Sequence, residues 1–109
     1  MDLVLQAIAE PRRREILMLI RAGELASGEI AAHFDVTRPA ISQHLQVLTA
    51  AGLVSVRKDG TRRLYQARPE GLVDLRAFLE SFWDDQLLRL KQVAEAEERR
   101  LQRDDTAAE

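Results

Sequence analysis

Two groups of side chains in this sequence are spaced to do chemistry. Arg38, Ser42, Gln43 and Gln46 recur at intervals that place them along one side of a helix, with Thr37 and Pro39 at its start. Arg57, Lys58, Arg62 and Arg63 bracket an Asp59-Gly60 pair. Neither group makes or breaks covalent bonds readily. Glutamine and arginine offer paired hydrogen-bonding groups that match base edges, Gln with adenine and Arg with guanine. Thr37, Ser42 and a helix N-terminus suit phosphate oxygens. Clustered Lys and Arg neutralise phosphates and release their counterions. The chemistry on offer is recognition of a nucleic-acid duplex. Charges on a hairpin also protect its edge from aggregation, and the two roles are compatible.

Catalysis finds little support. Ser42 and His44 are two apart on one helix, so their side chains diverge by about 200° and cannot pair as nucleophile and base. The chain lacks a glycine-rich phosphate loop and a paired-carboxylate site. It has no cysteine, which excludes disulfides, thiolate metal sites and cysteine nucleophiles. His33 and His44 fall in different helices without a companion at ligand-like spacing, so no metal and no cofactor is expected. His44 lies near the edge of the apolar face of its helix. A structural hydrogen bond there is at least as good a reading as contact with DNA.

These groups need elements to carry them. Residues 2–9 and 11–21 show apolar residues at helical spacing, with Asp2 as a possible cap and Pro11 between them. Gly23 closes the second helix. Ser27 is the expected N-cap of a short helix whose inward face is Ile30, Ala31 and Phe34. Asp35-Val36 forms a turn. Thr37 caps the next helix, Pro39 falls harmlessly in its first turn, and Gly52 stops it. On a wheel at about 100° per residue, Ile41, Leu45 and Leu48 face the core, and Pro39, Gln43 and Gln46 face away. Residues 53–57 alternate like a half-buried strand, Asp59-Gly60 is a favoured turn dipeptide, and residues 64–67 form the return strand. Pro69 ends it, and a long helix is expected from Glu70 to about Arg99, leaving a polar tail at 101–109. The order predicts a mainly α fold with a β-hairpin wing, a winged helix-turn-helix. Residues 1–100 are expected to form one domain.

Charge is distributed to match. From residue 36 to 68 there are six basic residues (Arg38, Arg57, Lys58, Arg62, Arg63, Arg68) against Asp59 alone; from 70 to 109 there are six basic and eleven acidic. The net charge of −2 therefore conceals a cationic recognition unit and an acidic C-terminal arm. The last helix carries an apolar stripe that includes Phe82, Trp83, Leu87 and Leu90. One small winged unit cannot cover it, so a homodimer through this stripe together with Leu3, Val4 and Ile8 is expected. The first residues lack the basic-then-apolar order of a signal peptide, and no apolar run reaches the roughly 18 residues of a membrane span. A cytoplasmic location follows as the expectation, with no membrane partner.

The strings PRRREIL (11–17), SQHLQVL (42–48), AGLV (51–54) and DGTRRLY (59–65) together resemble the ArsR family of bacterial winged-helix repressors. The likeness runs from residue 3 to about 95. Its most specific parts are the Ser-Gln-His-Leu helix and the Gly-x-Arg-x-x-Tyr wing. The resemblance implies a homodimer, paired through its first and last helices, that represses transcription from an operator. Metal-sensing members carry a Cys-x-Cys pair where this chain has Ala26 and Gly28, and others use histidines on the last helix, which here has none. The chain resembles the cysteine-free branch, whose members include autorepressors and regulators answering to a partner protein or a small organic inducer. The expected DNA-contacting set is Thr37, Arg38, Pro39, Ser42, Gln43, His44, Gln46, Arg57, Lys58, Arg62 and Arg63, acting on an inverted-repeat operator. The competing reading is a winged-helix protein-interaction module that does not bind DNA; a neutral or acidic wing would have favoured it.

Overall fold

The computed structural model describes residues 1–108, with the side chains of Asp85 and residues 105–108 outside the description. Contacts group the chain into two units, Met1–Leu75 and Arg76–Glu109.

The first unit runs α1 (Asp2–Ile8), α2 (Pro11–Ile20), β1 (Leu25–Ala26), α3 (Ser27–Ala31), α4 (Arg38–Ala50), β2 (Val54–Asp59) and β3 (Arg62–Ala67). A 3₁₀ turn (Pro69–Leu72) then leads into α5 (Val73–Ala108). Ile16, Ile20, Ile30, Ile41, Leu45, Leu48 and Leu53 are fully buried. Burial of each such side chain contributes about 1.5–3 kcal/mol, so this cluster is the main source of the unit's stability. The apolar residues expected to face inward from α4 do so.

Short helices need their ends satisfied, and the arginines after α1 do this. Arg13 donates from Nε to the Ala7 carbonyl at 2.6 Å and from Nη2 to the Gln6 carbonyl at 3.0 Å. Arg14 donates to Ile8 at 2.7 Å and Ala9 at 3.3 Å. Four carbonyls at the negative end of α1 thus receive cationic donors. Glu10 caps α2, accepting from the Arg12 amide at 3.3 Å, and Pro11 opens that helix.

Several local expectations are corrected. Asp2 is the first residue inside α1, and Met1 occupies its N-cap position. Ser27 is likewise the first residue inside α3, and Ala26 occupies the cap position. Glu29 supplies the missing acceptor by reaching back to the Ala26 amide at 3.1 Å, half of a capping box. Leu25 and Ala26 add a third strand, paired antiparallel with Tyr65 and Leu64, giving the sheet order β1-β3-β2. Two residues are too few to show a period, so this strand is not legible from residue pattern. Asp59 pairs with Arg62, which makes Gly60-Thr61 the central residues of the wing turn. Gly60 has φ +65° and no other residue of that turn has positive φ, as a turn with glycine first requires. Gly52 has φ +77° and ends α4 as expected. A 3₁₀ turn intervenes before α5, and α5 continues to Ala108, well past Arg99. Of the tail expected at 101–109, residue 109 lies outside the described residues.

The second unit is the part of α5 from Arg76 onward. Phe78 and Phe82 meet edge to face at 5.2 Å. Phe82, Trp83, Leu87 and Leu90 are all more than half exposed.

Candidate nucleic-acid interface

Helix α4 owes its position to its buried face. Ile41, Leu45 and Leu48 are at most 1% exposed, which turns the opposite face outward. Thr37 caps the helix, accepting from the Ala40 amide at 3.3 Å, and its hydroxyl proton remains able to donate. Arg38, Pro39, Ser42, Gln43 and Gln46 are all exposed along this outer side. Arg38 lies across Gly28 at the start of α3: a Cβ built there would sit 3.2 Å from the Arg38 Nη2. A glycine at 28 thereby lets the guanidinium approach the backbone.

The wing stands beside this helix. A cleft of ≈ 610 Å³ is lined by Arg38 and Ser42 of α4, Gly28 and Glu29 of α3, and Arg62 and Arg63 of β3. A second, of ≈ 490 Å³, lies between Gln46 and Thr49 of α4 and Val56, Lys58, Arg63 and Tyr65 of the hairpin. Arg63 borders both. Tyr65 is half-buried against the core, a packing residue.

The four wing cations divide into two kinds. Arg57 donates to Glu24 at 2.6 Å, and this hydrogen bond raises its pKa above the ordinary value. Arg62 pairs with Glu29. Among the described residues, Lys58 and Arg63 have no carboxylate partner. Two cations therefore brace the hairpin against α3 and the segment before it, and two are left for an external anion. Sequence spacing treated the four alike; the acids that pair with two of them are 33 residues away in each case.

His44 departs from the exposed set. It is half-buried, and its Nδ1 lies 3.4 Å from Arg13 Nη1. Burial, then the Arg13 charge, lower its pKa below 6.5, with a smaller opposing effect from Glu10 and a further lowering from Arg12. Its ring thus makes an internal hydrogen bond to Arg13. Val4 is also redirected: it is 8% exposed and belongs to the core of its own unit. Leu3 is exposed and Ile8 partly buried. Ala26 and Gly28 place no ligand atoms where thiolates would sit. His33 turns its Nδ1 to the Glu29 carbonyl at 2.9 Å. Among the described residues no group of three or more His, Cys, Asp or Glu is placed to hold a metal ion. No helix of the described residues is long and apolar enough to cross a membrane.

The functional residues that sequence reasoning missed are Arg12, Arg13 and Arg14. They read as a basic run, but each is engaged within the fold. Arg12 lies 4.8 Å from the centre of the Phe34 ring and pairs with Glu15. A basic run after a short helix that ends without glycine is the signal that could have identified a C-terminal cap.

A helix-turn-helix whose second helix exposes amides and a guanidinium, flanked by a cationic β-hairpin, defines a winged helix-turn-helix DNA-binding domain. Residues 10–56 match the arsR family of bacterial regulatory proteins. The chain is 46% identical over 96 residues to the HTH-type transcriptional regulator Rv2034 of Mycobacterium tuberculosis, covering 88% of this chain and 90% of that protein. It is 38% identical to the transcriptional repressor SdpR of Bacillus subtilis, covering 68% and 82%. The solution structure of a homodimeric winged helix-turn-helix DNA-binding domain from Mycobacterium bovis superimposes with a TM-score of 0.62 at 34% identity, covering 77% and 78%. This chain belongs to the arsR family and is a transcriptional regulator.

Proposed function

We propose that the protein is a homodimeric repressor that occupies an inverted-repeat operator and acts in the cytoplasm. The observation that carries this reading is the exposed polar face of α4 set beside a wing whose Lys58 and Arg63 have no carboxylate partner among the described residues. Gln43 and Arg38 read base edges in the major groove, helped by Gln46. Thr37, Ser42 and the start of α4, with Pro39 beside them, approach phosphates. Lys58 and Arg63 grip the backbone; Arg57 and Arg62 hold the hairpin in place and add long-range positive potential. His44 is left out of the contact set because it faces Arg13.

Dimerisation is assigned to Leu3 and Ile8 of α1 and to Phe82, Trp83, Leu87 and Leu90 of α5. The exposure of Leu3 and of the four α5 residues supports it, as does the homodimeric relative. Residues 1–100 then work as one DNA-binding protomer. A two-fold dimer presents its two α4 helices to half-sites about one helical turn apart, or a multiple of it. Repression is supported by the name of the Bacillus relative and requires only that the operator overlap a promoter. Any inducer is a small organic molecule or a protein.

Selection from a random duplex library tests the reading. Enrichment of an inverted repeat is expected. Enrichment of nothing beyond the starting pool would support a protein-interaction module instead.

A further inference from the structure

Arg13 is placed between two elements with different duties. Its Nε and Nη2 donate to the Ala7 and Gln6 carbonyls of α1 at 2.6 and 3.0 Å, and its Nη1 lies 3.4 Å from His44 Nδ1 on α4. Arginine has only donors, so this last contact exists only while Nδ1 is an unprotonated acceptor and Nε2 carries the ring's proton. His44 is one residue from Gln43 in the chain and flanked by core residues Ile41, Leu45 and Leu48 on the same helix. A change at this ring is therefore transmitted to the exposed face of α4 by a rigid helix turn.

We infer that Arg13 is a positioning residue for DNA reading: through neutral His44 it fastens α4 to the end of α1, and protonation of His44 releases that fastening and weakens operator binding. The inference rests on the reading of α4 as the recognition helix. Protonation replaces a donor–acceptor pair by two cations facing each other. The other charged groups acting on the ring are Glu10, which favours the imidazolium, and Arg12, which disfavours it. Burial and Arg13 outweigh Glu10 and hold the ring neutral below 6.5. The sign is fixed by this. The fastening is intact at neutral pH and is lost only as pH falls through the ring's own value, which lies below the ordinary 6.5. A histidine that met phosphate as a cation would give the opposite sign, with affinity rising in acid.

The test has two arms. In the first, operator affinity of the full-length protein is measured between pH 5.5 and 8 for wild type and His44→Asn, whose side-chain oxygen can stand in for Nδ1 as an acceptor but does not titrate. His33 is present in both and is thereby controlled for. Wild type is expected to lose affinity in acid by about threefold to tenfold relative to the variant. Equal pH profiles, or wild-type affinity that rises in acid relative to the variant, would overturn the inference. In the second arm, which uses no DNA, the imidazole resonances of the free protein are titrated in wild type and Arg13→Leu. With only two histidines in the chain, assignment is direct. The His44 midpoint is expected to rise when Arg13 is removed; an unmoved midpoint would contradict the pairing. If Arg13→Leu does not fold, the first arm decides alone. A wild type that binds no operator at pH 7.5 would remove the functional reading, and this inference with it. Normal binding with a pH profile identical to that of His44→Asn would remove this inference only.

Discussion

Arg62 and Glu29 form an ion pair across the cleft beside the recognition helix, whereas Arg63, the next residue, borders the same cleft with no carboxylate partner among the described residues. Neighbours of the same type thus have different duties. Glu29 also caps α3 through the Ala26 amide, so the pair fastens the wing tip to the start of the helix-turn-helix. An exposed pair of this kind contributes about 0–1 kcal/mol to stability, small enough for it to open if a phosphate competes for Arg62.

The consequence is a difference in salt dependence. Arg63→Ala is expected to weaken operator and random DNA about equally and to reduce the slope of log affinity against log salt by about one unit. Arg62→Ala should reduce the slope by less, because part of its charge is already balanced by Glu29. Binding isotherms at several salt concentrations check the order; a larger change in slope for Arg62→Ala would reverse these assignments.

Dimerisation is expected to hide the apolar stripe of α5. Sedimentation at micromolar concentration should give twice the 12.4 kDa chain mass. Trp83 is the only tryptophan, so its emission should shift to the red on dilution as the pair separates. Leu87→Glu should yield a monomer at the same concentration, because a buried unpaired carboxylate is costly. A wild-type monomer would leave the exposed stripe without an explanation and remove the two-fold operator.

Stability should be sensitive where backbones touch. A Cβ on Gly71 would lie 2.2 Å from the Gly52 carbonyl oxygen. Since that atom is backbone, Gly71→Ala should destabilise by about 1–3 kcal/mol. Thr37→Ala removes a cap and should cost about 1 kcal/mol. Urea unfolding measures both, and a Gly71→Ala midpoint equal to wild type would refute the close approach.

Metal ions should leave operator affinity unchanged. Ala26 and Gly28 occupy the positions at which the family resemblance would place a sensor's cysteines, and α5 has no histidine. Titration with zinc, nickel or arsenite during a DNA-binding measurement checks this; a stoichiometric ion that moved the isotherm tenfold would reveal a site built from other ligands.

How much of this was legible beforehand depended on the range of the interactions. The face of α4 could be read because a helix repeats every 3.6 residues and Ile41, Leu45 and Leu48 mark its buried side. Gly52 and Thr37 were legible because caps act within a turn of chain. The division of the wing cations was not, since Glu24 and Glu29 approach Arg57 and Arg62 only once the sheet has formed. Nor was the inward role of Arg13, whose acceptors lie on α1 and α4. Val4 read as an interface residue because a short amphipathic helix does not say which neighbour will cover it. The wing turn centres one residue later than Asp59-Gly60 because Asp-Gly satisfies one turn type and Gly-Thr another, and strand register decides between them.

The most direct test of the central claim, that the outer face of α4 reads bases, is Gln43→Ala measured on the selected operator and on a scrambled duplex of equal length and salt. Gln43 is exposed and makes no hydrogen bond to another side chain among the described residues, so folding should be little affected. The expected result is a loss of about 1–3 kcal/mol on the operator with little change on the scrambled duplex. Equal weakening of both would contradict the claim and show that this face meets only the DNA backbone.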